Sequence, residues 1–191
     1  MERVSLTELA HRAVASRVSE GDCVVDATAG TGRDCLFLAE IVGEAGHVYA
    51  FDVQVEAVEM TRQRLARAGL MQRVSLINAG HERMDEHLSE EVRGRVSAVM
   101  FNLGYLPGAN HALTTMPETT VAALEASMRV LAQGGILSVL CYRGHEQGGG
   151  EYEAVLAWAD SLAEGNAVAW QGALSEHTVR PSPRLLTVLK G

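Results

Sequence analysis

The sequence predicts an α/β protein with a doubly wound, mainly parallel sheet of seven strands. Two observations indicate this class: short β-branched runs alternate with longer amphipathic stretches, and a tight glycine turn at residues 27–32 joins the first strand to the next helix. A third observation is that polar or glycine-rich loops follow the strands. Because parallel strands end at one edge of such a sheet, we expect these loops to meet there.

The elements follow in chain order from local signals. Ser5 and Glu8 form a capping box that starts a helix over residues 6–18. Glycines at 43 and 69 end the next two helices, and Pro117 opens a later one. The remaining helices are expected at 33–42, 54–68, 82–91, 118–132 and 152–162. The strands are expected at 23–26, 47–52, 74–78, 96–101, 136–142, 167–171 and 185–189.

Length and composition indicate a single domain over residues 1–191, with residues 1–20 as an N-terminal helix packed on it. The chain has 191 residues, of which 47% are apolar and 21% charged, as in globular proteins. No apolar run approaches the roughly 20 residues that span a bilayer, and the N-terminus lacks a secretory signal core. We therefore expect a cytoplasmic protein without membrane contact.

Charge and metal-binding residue types limit the function classes. The net charge of −8 argues against a large nucleic-acid footprint, although it allows a local basic patch. Lys190 is the only lysine, so arginine, which suits phosphate and base contacts, carries nearly all the positive charge. The three cysteines and seven histidines show no metal-ligand spacing, and we expect no metal site.

The glycine turn indicates a ligand that carries positive charge. Small residues at Ala29, Gly30 and Gly32 let the backbone approach a ligand, and the following helix presents free N–H groups. Dinucleotide enzymes need a third small residue, which residues 33–35 do not supply, so a dehydrogenase is disfavoured. The carboxylate of Asp26 would repel phosphate but suits S-adenosylmethionine (SAM), which has a sulfonium and an ammonium. The alternative is an ordinary turn in which Asp26 caps the helix.

A second acidic residue closes the next strand. Asp52 follows an apolar run, at roughly the 20-residue spacing at which an acid reaches ribose hydroxyls. After the third strand, His81 and Glu82 stand where a side chain or amide would hold an adenine. A helix-capping segment is the alternative interpretation of that pair.

Residues 101–108, which begin at the end of the fourth predicted strand, are candidates for contact with the substrate. Asn102 offers a carbonyl acceptor for an amine substrate, Gly104 leaves room, and Tyr105 can stack on a base. Such a site works by positioning the reactants rather than by covalent catalysis. The alternative is a Pro/Gly turn with a packed tyrosine.

Residues 141–146, after the fifth strand, add two candidates. Tyr142 and His145 can face the substrate, and His145 can accept a proton from an amine. A surface loop is the alternative for both. Cys141 suggests a thiol attack on a pyrimidine, but it lies in an apolar run, and a buried thiol is favoured.

With these residues in place, the chain resembles the Rossmann-like class I SAM-dependent methyltransferases and, more narrowly, the family long labelled putative rRNA methylase. The run Asn-Leu-Gly-Tyr-Leu-Pro-Gly at 102–108 and the Tyr-x-Gly-His loop at 142–145 are its most specific features. The other matching stretches are 26–34, 36–39, 51–54, 81–82, 134–135 and 149–151.

The resemblance implies a cofactor site and a substrate site. It implies that the residues that bind SAM are Asp26, Thr28, Ala29, Gly30, Gly32, Asp34, Asp52, Gln54 and Asn102, with His81 nearby. It also implies that the residues that face the substrate and act in catalysis are Asn102, Tyr105, Tyr142 and His145.

The family includes an enzyme that methylates the 5-aminomethyl group of 2-thiouridine at the tRNA wobble position. The resemblance therefore implies this activity, and it implies the tRNA anticodon stem-loop as the partner. Alternatives are another RNA such as rRNA, a small-molecule amine, or a SAM-binding module without catalysis. His111, His177, Arg180 and Arg184 can form a modest basic rim, with an ordinary solvated surface as the alternative. A homodimer that joins the rims of two subunits also stays open.

Overall fold

The computed structural model describes residues 4–104, 115–142, 148–164, 170–174 and 183–191. The helices among them are α1 (Leu6–Ala15), α2 (Arg33–Ile41), α3 (Val55–Ala68), α4 (Met84–His87), α5 (Pro117–Val130) and α6 (Gly148–Glu164). The strands among them are β1 (Cys23–Asp26), β2 (His47–Phe51), β3 (Val74–Ile77), β4 (Val96–Leu103), β5 (Leu131–Cys141), β6 (Trp170–Leu174) and β7 (Arg184–Leu189).

One sheet holds these strands in the order β3-β2-β1-β4-β5-β7-β6. β1 to β5 pair in parallel, whereas β7 runs antiparallel to both β5 and β6. The chain therefore builds outward from β1 to β3 and then returns to place β4 on the other side of β1. The mainly parallel α/β sheet expected from the sequence is confirmed, and its switch point lies between β1 and β4, where such sheets bind ligands.

Helices cover both faces of the sheet because the central strands are apolar on both sides. Val24 packs with α1, α2 and α3 on one face, and Val25 packs with α4, α5 and α6 on the other. Both valines are fully buried, as residues of a central parallel strand usually are. The two apolar cores hold β1 and β4 rigidly, so the edge where they end is a fixed platform.

The N-terminal helix belongs to the face that carries α2. The backbone N–H of Glu8 donates to Ser5 Oγ at 3.1 Å, as expected for the cap. Ala10 and Val14 are buried in the core beneath it. The helix ends at Ala15, three residues earlier than expected, and a turn follows.

β4 and β5 differ from expectation because they pair over a longer stretch. β4 continues to Leu103, so Asn102 lies inside the strand, opposite Leu140, rather than in the loop after it. β5 begins at Leu131 instead of residue 136, since its first residue already pairs with Val96. The polar Asn102 therefore has a backbone fixed by the sheet.

The ends of three other elements were also predicted wrongly. The helix expected at 82–91 is a 3₁₀ turn followed by the single turn of α4, which ends at His87. α6 begins at Gly148, four residues before the expected start at residue 152, and β6 lies three residues beyond its expected position. Residues 148–150 are glycines, which have poor helix propensity, but the tertiary contacts of α6 override that propensity.

Candidate active site

The carboxyl edge of the sheet brings the candidate residues together. β1, β2 and β4 are adjacent in parallel, so Asp26, Asp52 and Asn102 all lie at or near one edge. We call the ends of β1 and β2, with Asp26, Gly30 and Asp52, the cofactor side. The ends of β4 and β5, with Asn102 and Tyr142, form the substrate side.

The glycine turn packs tightly between β1 and α3. Gly32 has φ +75°, and a Cβ built there would lie 2.8 Å from the Cα of Thr61. The hydroxyl of Thr61 donates to the carbonyl of Gly30 at 3.3 Å, and Arg64 Nε donates to the carbonyl of Thr31 at 2.7 Å. Packing against α3 therefore already requires a glycine at position 32, independently of any ligand.

Asp52 is bound to the turn from the neighbouring strand. Its Oδ2 accepts from the N–H of Gly30 and its Oδ1 from the N–H of Gln54, both at 2.9 Å. Ala29 N–H also donates to the carbonyl of Phe51 at 2.9 Å. Burial raises the pKa of Asp52, and the two amides oppose that shift. The carboxylate is thus held at the rim of the turn, with lone pairs left for further donors.

Asp26 is the most deeply buried acid of the site. The N–H of Thr28 donates to its Oδ1 at 3.1 Å, whereas Oδ2 has no hydrogen-bond partner among the described residues. Burial, followed by the charge of Asp34, raises its pKa well above the usual range. An unpartnered carboxyl oxygen beside two further acids fits a ligand that brings positive charge, as the ammonium and sulfonium of SAM do.

The side chain of Asn102 is held by Asp34. Asn102 Nδ2 donates to Asp34 Oδ2, and the backbone N–H of Asn102 donates to Thr28 Oγ1 at 2.7 Å. The other carboxylate oxygen of Asp34 lies 2.6 Å from Nε2 of His11. The structure thus joins a predicted cofactor residue, Asp34, to a predicted substrate residue, Asn102.

Sequence reasoning missed His11. It lies on α1, 23 positions before Asp34, and its ring stacks on Phe37 with centroids 3.9 Å apart. A lone histidine on an amphipathic helix carries no sequence signal for such a contact. Only the packing of α1 beside α2 brings the imidazole to the edge of the sheet.

His81 lies inside the protein beneath the cofactor side. Its Nδ1 is 3.2 Å from the carbonyl oxygen of Ala27, and its ring tilts against Phe101. Burial lowers the pKa of His81, partly opposed by the charge of Glu82. A neutral ring therefore donates from Nδ1 to that carbonyl, which supports the end of β1; the expected contact with adenine stays a prediction.

A buried acid from the matching stretch 149–151 joins the ends of several elements. Glu151, on α6, is 2% exposed and accepts from the hydroxyls of Thr115 at 2.8 Å and Thr120 at 2.7 Å. Thr115 Oγ1 in turn accepts from the N–H of Gly104 at 3.0 Å. We call Glu151, Thr115, Thr120 and Gly104 the Glu151 network. It ties the end of β4, the start of α5 and the first turn of α6 together.

The remaining substrate candidates are only partly described. Tyr142 directly follows β5, is 41% exposed, and its N–H donates to the carbonyl of Leu103 at 3.0 Å. Tyr105 and His145 lie outside the described residues. Within the part of the chain that the structure describes, no group of three or more potential metal ligands is found. No helix there is long and apolar enough to cross a membrane.

This fold and site define the class of protein: a Rossmann-like SAM-dependent methyltransferase. Residues 48–188 match the model of a family described as "Putative rRNA methylase", and the chain belongs to that family. It is also 40% identical over 168 residues to the tRNA (mnm(5)s(2)U34)-methyltransferase, chloroplastic, of Arabidopsis thaliana. That match covers 84% of this chain, and the chain spans only 61% of the relative's length.

Two solved structures are similar over the whole chain. A structure described as a putative rRNA-methylase from Clostridium thermocellum has 39% identity and a TM-score of 0.92, with 100% of this chain and 99% of that one covered. SMU.1697c, a putative methyltransferase from Streptococcus mutans solved in complex with SAH, has 30% identity, a TM-score of 0.86 and the same coverage.

Proposed function

We propose that this chain transfers the methyl group of SAM to the aminomethyl nitrogen of 5-aminomethyl-2-thiouridine at the wobble position of tRNA. The observation that carries the proposal is the amide of Asn102, held by Asp34 at the end of β4 beside the cofactor side. The Arabidopsis relative, named as a tRNA mnm5s2U34 methyltransferase, supports the substrate class. Residues 1–191 act here as one domain, with α1 packed on it.

The cofactor side would hold SAM through its acids and its turn. Asp52 would accept hydrogen bonds from the ribose hydroxyls, and the unpartnered Oδ2 of Asp26 would favour the positive charge of SAM. The backbone of the turn, with Thr28, Ala29 and Gly30, would hold the methionine part. The further contacts in this proposal are made by Gly32, Asp34, Gln54, His81 and Asn102.

For methyl transfer to an amine, the main task of the protein is to orient the two reactants. When bound, SAM would supply the methyl electrophile: a nitrogen–carbon bond forms as the carbon–sulfur bond breaks, with its electron pair left on sulfur. The methylated nitrogen is then an ammonium, which loses its extra proton to solvent. The substrate nitrogen needs a lone pair aimed at that carbon, so its hydrogens must be held by acceptors. Asn102 Oδ1 is such an acceptor, since the amide's other end is bound to Asp34.

A covalent mechanism through a thiol has less support. Cys141 ends β5 inside the core that contains α5 and α6, with 2% of its surface exposed. A buried thiol in apolar surroundings is a poor nucleophile. Tyr142, which follows it, has an exposed ring that can stack on a base, and Tyr105 and His145 stay predicted substrate contacts.

The experiment is transfer of labelled methyl from SAM to tRNA that carries the unmethylated aminomethyl group, with mass analysis of the nucleosides. We expect label only in the methylaminomethyl nucleoside. The matched control is the same tRNA transcribed without modification, which lacks the aminomethyl group and should stay unlabelled.

Two outcomes would contradict the proposal. If the protein binds SAM but labels neither tRNA, the tRNA assignment fails, and a pool of small amines becomes the next acceptor to assay. If both tRNAs are labelled equally, the acceptor is an ordinary nucleotide and the role of Asn102 toward the aminomethyl nitrogen is wrong.

A further inference from the structure

The N-terminal helix contributes a side chain to the active site. His11 on α1 has 24% of its side chain exposed, and its Nε2 lies 2.6 Å from Oδ1 of Asp34, which is 7% exposed. The imidazole is nearly parallel to the ring of Phe37, with an interplanar angle of 3°. Two contacts therefore fix the ring, and both lie outside residues 48–188, which the family model matches.

Asp34 is used for side-chain contacts rather than for capping α2. Gly32 is the N-cap residue of that helix, and no side-chain hydrogen bond caps it. The two carboxylate oxygens of Asp34 instead contact His11 Nε2 and Asn102 Nδ2. A buried acid with one donor on each oxygen has a defined orientation, which a single donor would not give.

The orientation of Asp34 decides which end of the Asn102 amide reaches the substrate. A carboxylate only accepts hydrogen bonds, so the NH₂ end of the amide must face Asp34. The backbone of Asn102 is fixed by β4 and by Thr28. The carbonyl end is left for the substrate, and a flipped amide would present donors to an amine that needs acceptors.

We propose that His11 is a positioning residue for methyl transfer: it holds Asp34, and Asp34 keeps the carbonyl of Asn102 toward the substrate amine. This rests on the proposed amine methylation. His11 contributes a hydrogen on Nε2, and Phe37 holds the ring plane. Loss of that hydrogen bond leaves Asp34 with one partner and lets the Asn102 amide rotate.

The test compares variants that separate the hydrogen bond from packing. His11→Phe keeps a ring on Phe37 but cannot donate, whereas His11→Gln keeps a donor. Arg12→Ala is the control on the same helix, because Arg12 pairs with Glu8 on its exposed side. We expect His11→Phe to lower kcat on tRNA about tenfold or more, since small misplacements of a reacting group are costly. SAH affinity should change less than about threefold.

A second readout does not depend on the RNA. In SAH-bound protein, the side-chain NH₂ resonances of Asn102 report its contact with Asp34. We expect them to shift in His11→Phe and to stay at their wild-type positions in Arg12→Ala. His11→Gln should restore most of both kcat and the resonance positions.

The outcomes separate this inference from the proposed function. Unmoved Asn102 resonances in a folded His11→Phe protein overturn the positioning role, as does an unchanged kcat. If wild-type protein methylates no tRNA, the proposed function fails. The resonances then still decide whether His11 orients Asn102, and a shift restored by glutamine supports it.

Discussion

The cofactor side and the substrate side of the sheet edge are held by different kinds of contact. On the cofactor side, the acids accept from backbone amides: Asp26 from Thr28, and Asp52 from Gln54 and Gly30. On the substrate side, backbone amides also donate, but two contacts join side chains that are distant along the chain: Asn102 to Asp34, and Thr115 to Glu151.

The separations along the sequence make the contrast plain. Asn102 lies 68 positions from Asp34, and Glu151 lies 36 positions from Thr115. The amide of Gln54 is only two positions from Asp52. The cofactor side thus combines local turns with the contact of Asp52 to Gly30, 22 positions away. The substrate side depends more fully on the assembled sheet and on helices docked from both faces.

The largest effect is expected from crowding the glycine turn. Gly32→Ala puts a Cβ 2.8 Å from the Cα of Thr61 at a φ of +75°. Strain and overpacking together should lower the free energy of unfolding by about 3 kcal/mol. SAH binding should fall with it, and urea unfolding with a binding titration checks both.

The control for this substitution is Gly69→Ala. Gly69 has nearly the same φ, +70°, but nothing lies within 4 Å of a Cβ built there. It should cost only about 1 kcal/mol of backbone strain. Equal losses in the two variants would show that the contact with α3 is unimportant.

A smaller effect, confined to the substrate side, is expected from the Glu151 network. Glu151→Gln keeps the size of the buried side chain but replaces one acceptor oxygen with an NH₂ donor, so one threonine hydroxyl must find another partner. We expect a loss of about 1 to 3 kcal/mol in stability. KM for tRNA should rise while SAH affinity stays unchanged.

Glu153→Ala on the exposed side of α6 is the matched control and should leave both constants unchanged. The measurement is steady-state kinetics on tRNA alongside SAH calorimetry. A fall in SAH affinity in Glu151→Gln would contradict the separation of the two sides.

The smallest effect is a pH dependence on the cofactor side. The pKa of Asp26 is raised in the folded protein by burial and by the charge of Asp34. Its contribution to stability is therefore complete below the unfolded pKa of about 3.9 and is lost as the pH rises through the raised value.

Asp26→Asn removes that dependence. The difference in melting temperature between the ligand-free variant and wild type, measured by calorimetry, should increase in favour of the variant as the pH rises above the unfolded pKa of about 3.9. A difference that does not change with pH above that value would show that burial does not raise the pKa of Asp26.

The local parts of this architecture could be predicted from sequence. Residues 23–26 and the glycine turn were placed correctly, because β-branched residues, small residues and a helix start follow one another within a few positions. The end of β4 was placed too early, because Asn102 has low strand propensity and lies in the strand through its pairing with β5.

The long-range parts of the site could not be predicted. His11 has no neighbour in sequence that points to Asp34, and its role depends on how α1 packs beside α2. Glu151 follows three glycines that suggest a loop, yet its two threonine partners place it in the first turn of α6. Such contacts are consequences of tertiary packing, and short-range sequence patterns carry no information about them.

The most direct measurement compares Asn102→Ala with Asp52→Ala, using SAH calorimetry and methyl transfer to aminomethyl-bearing tRNA. We expect Asn102→Ala to keep SAH affinity within about threefold, because the other residues proposed to contact SAM remain. Its kcat should fall at least about a hundredfold, because the acceptor for the amine is removed. We expect Asp52→Ala mainly to weaken SAH binding. A large loss of SAH affinity in Asn102→Ala, or full activity, would contradict the assignment of Asn102 to methyl transfer.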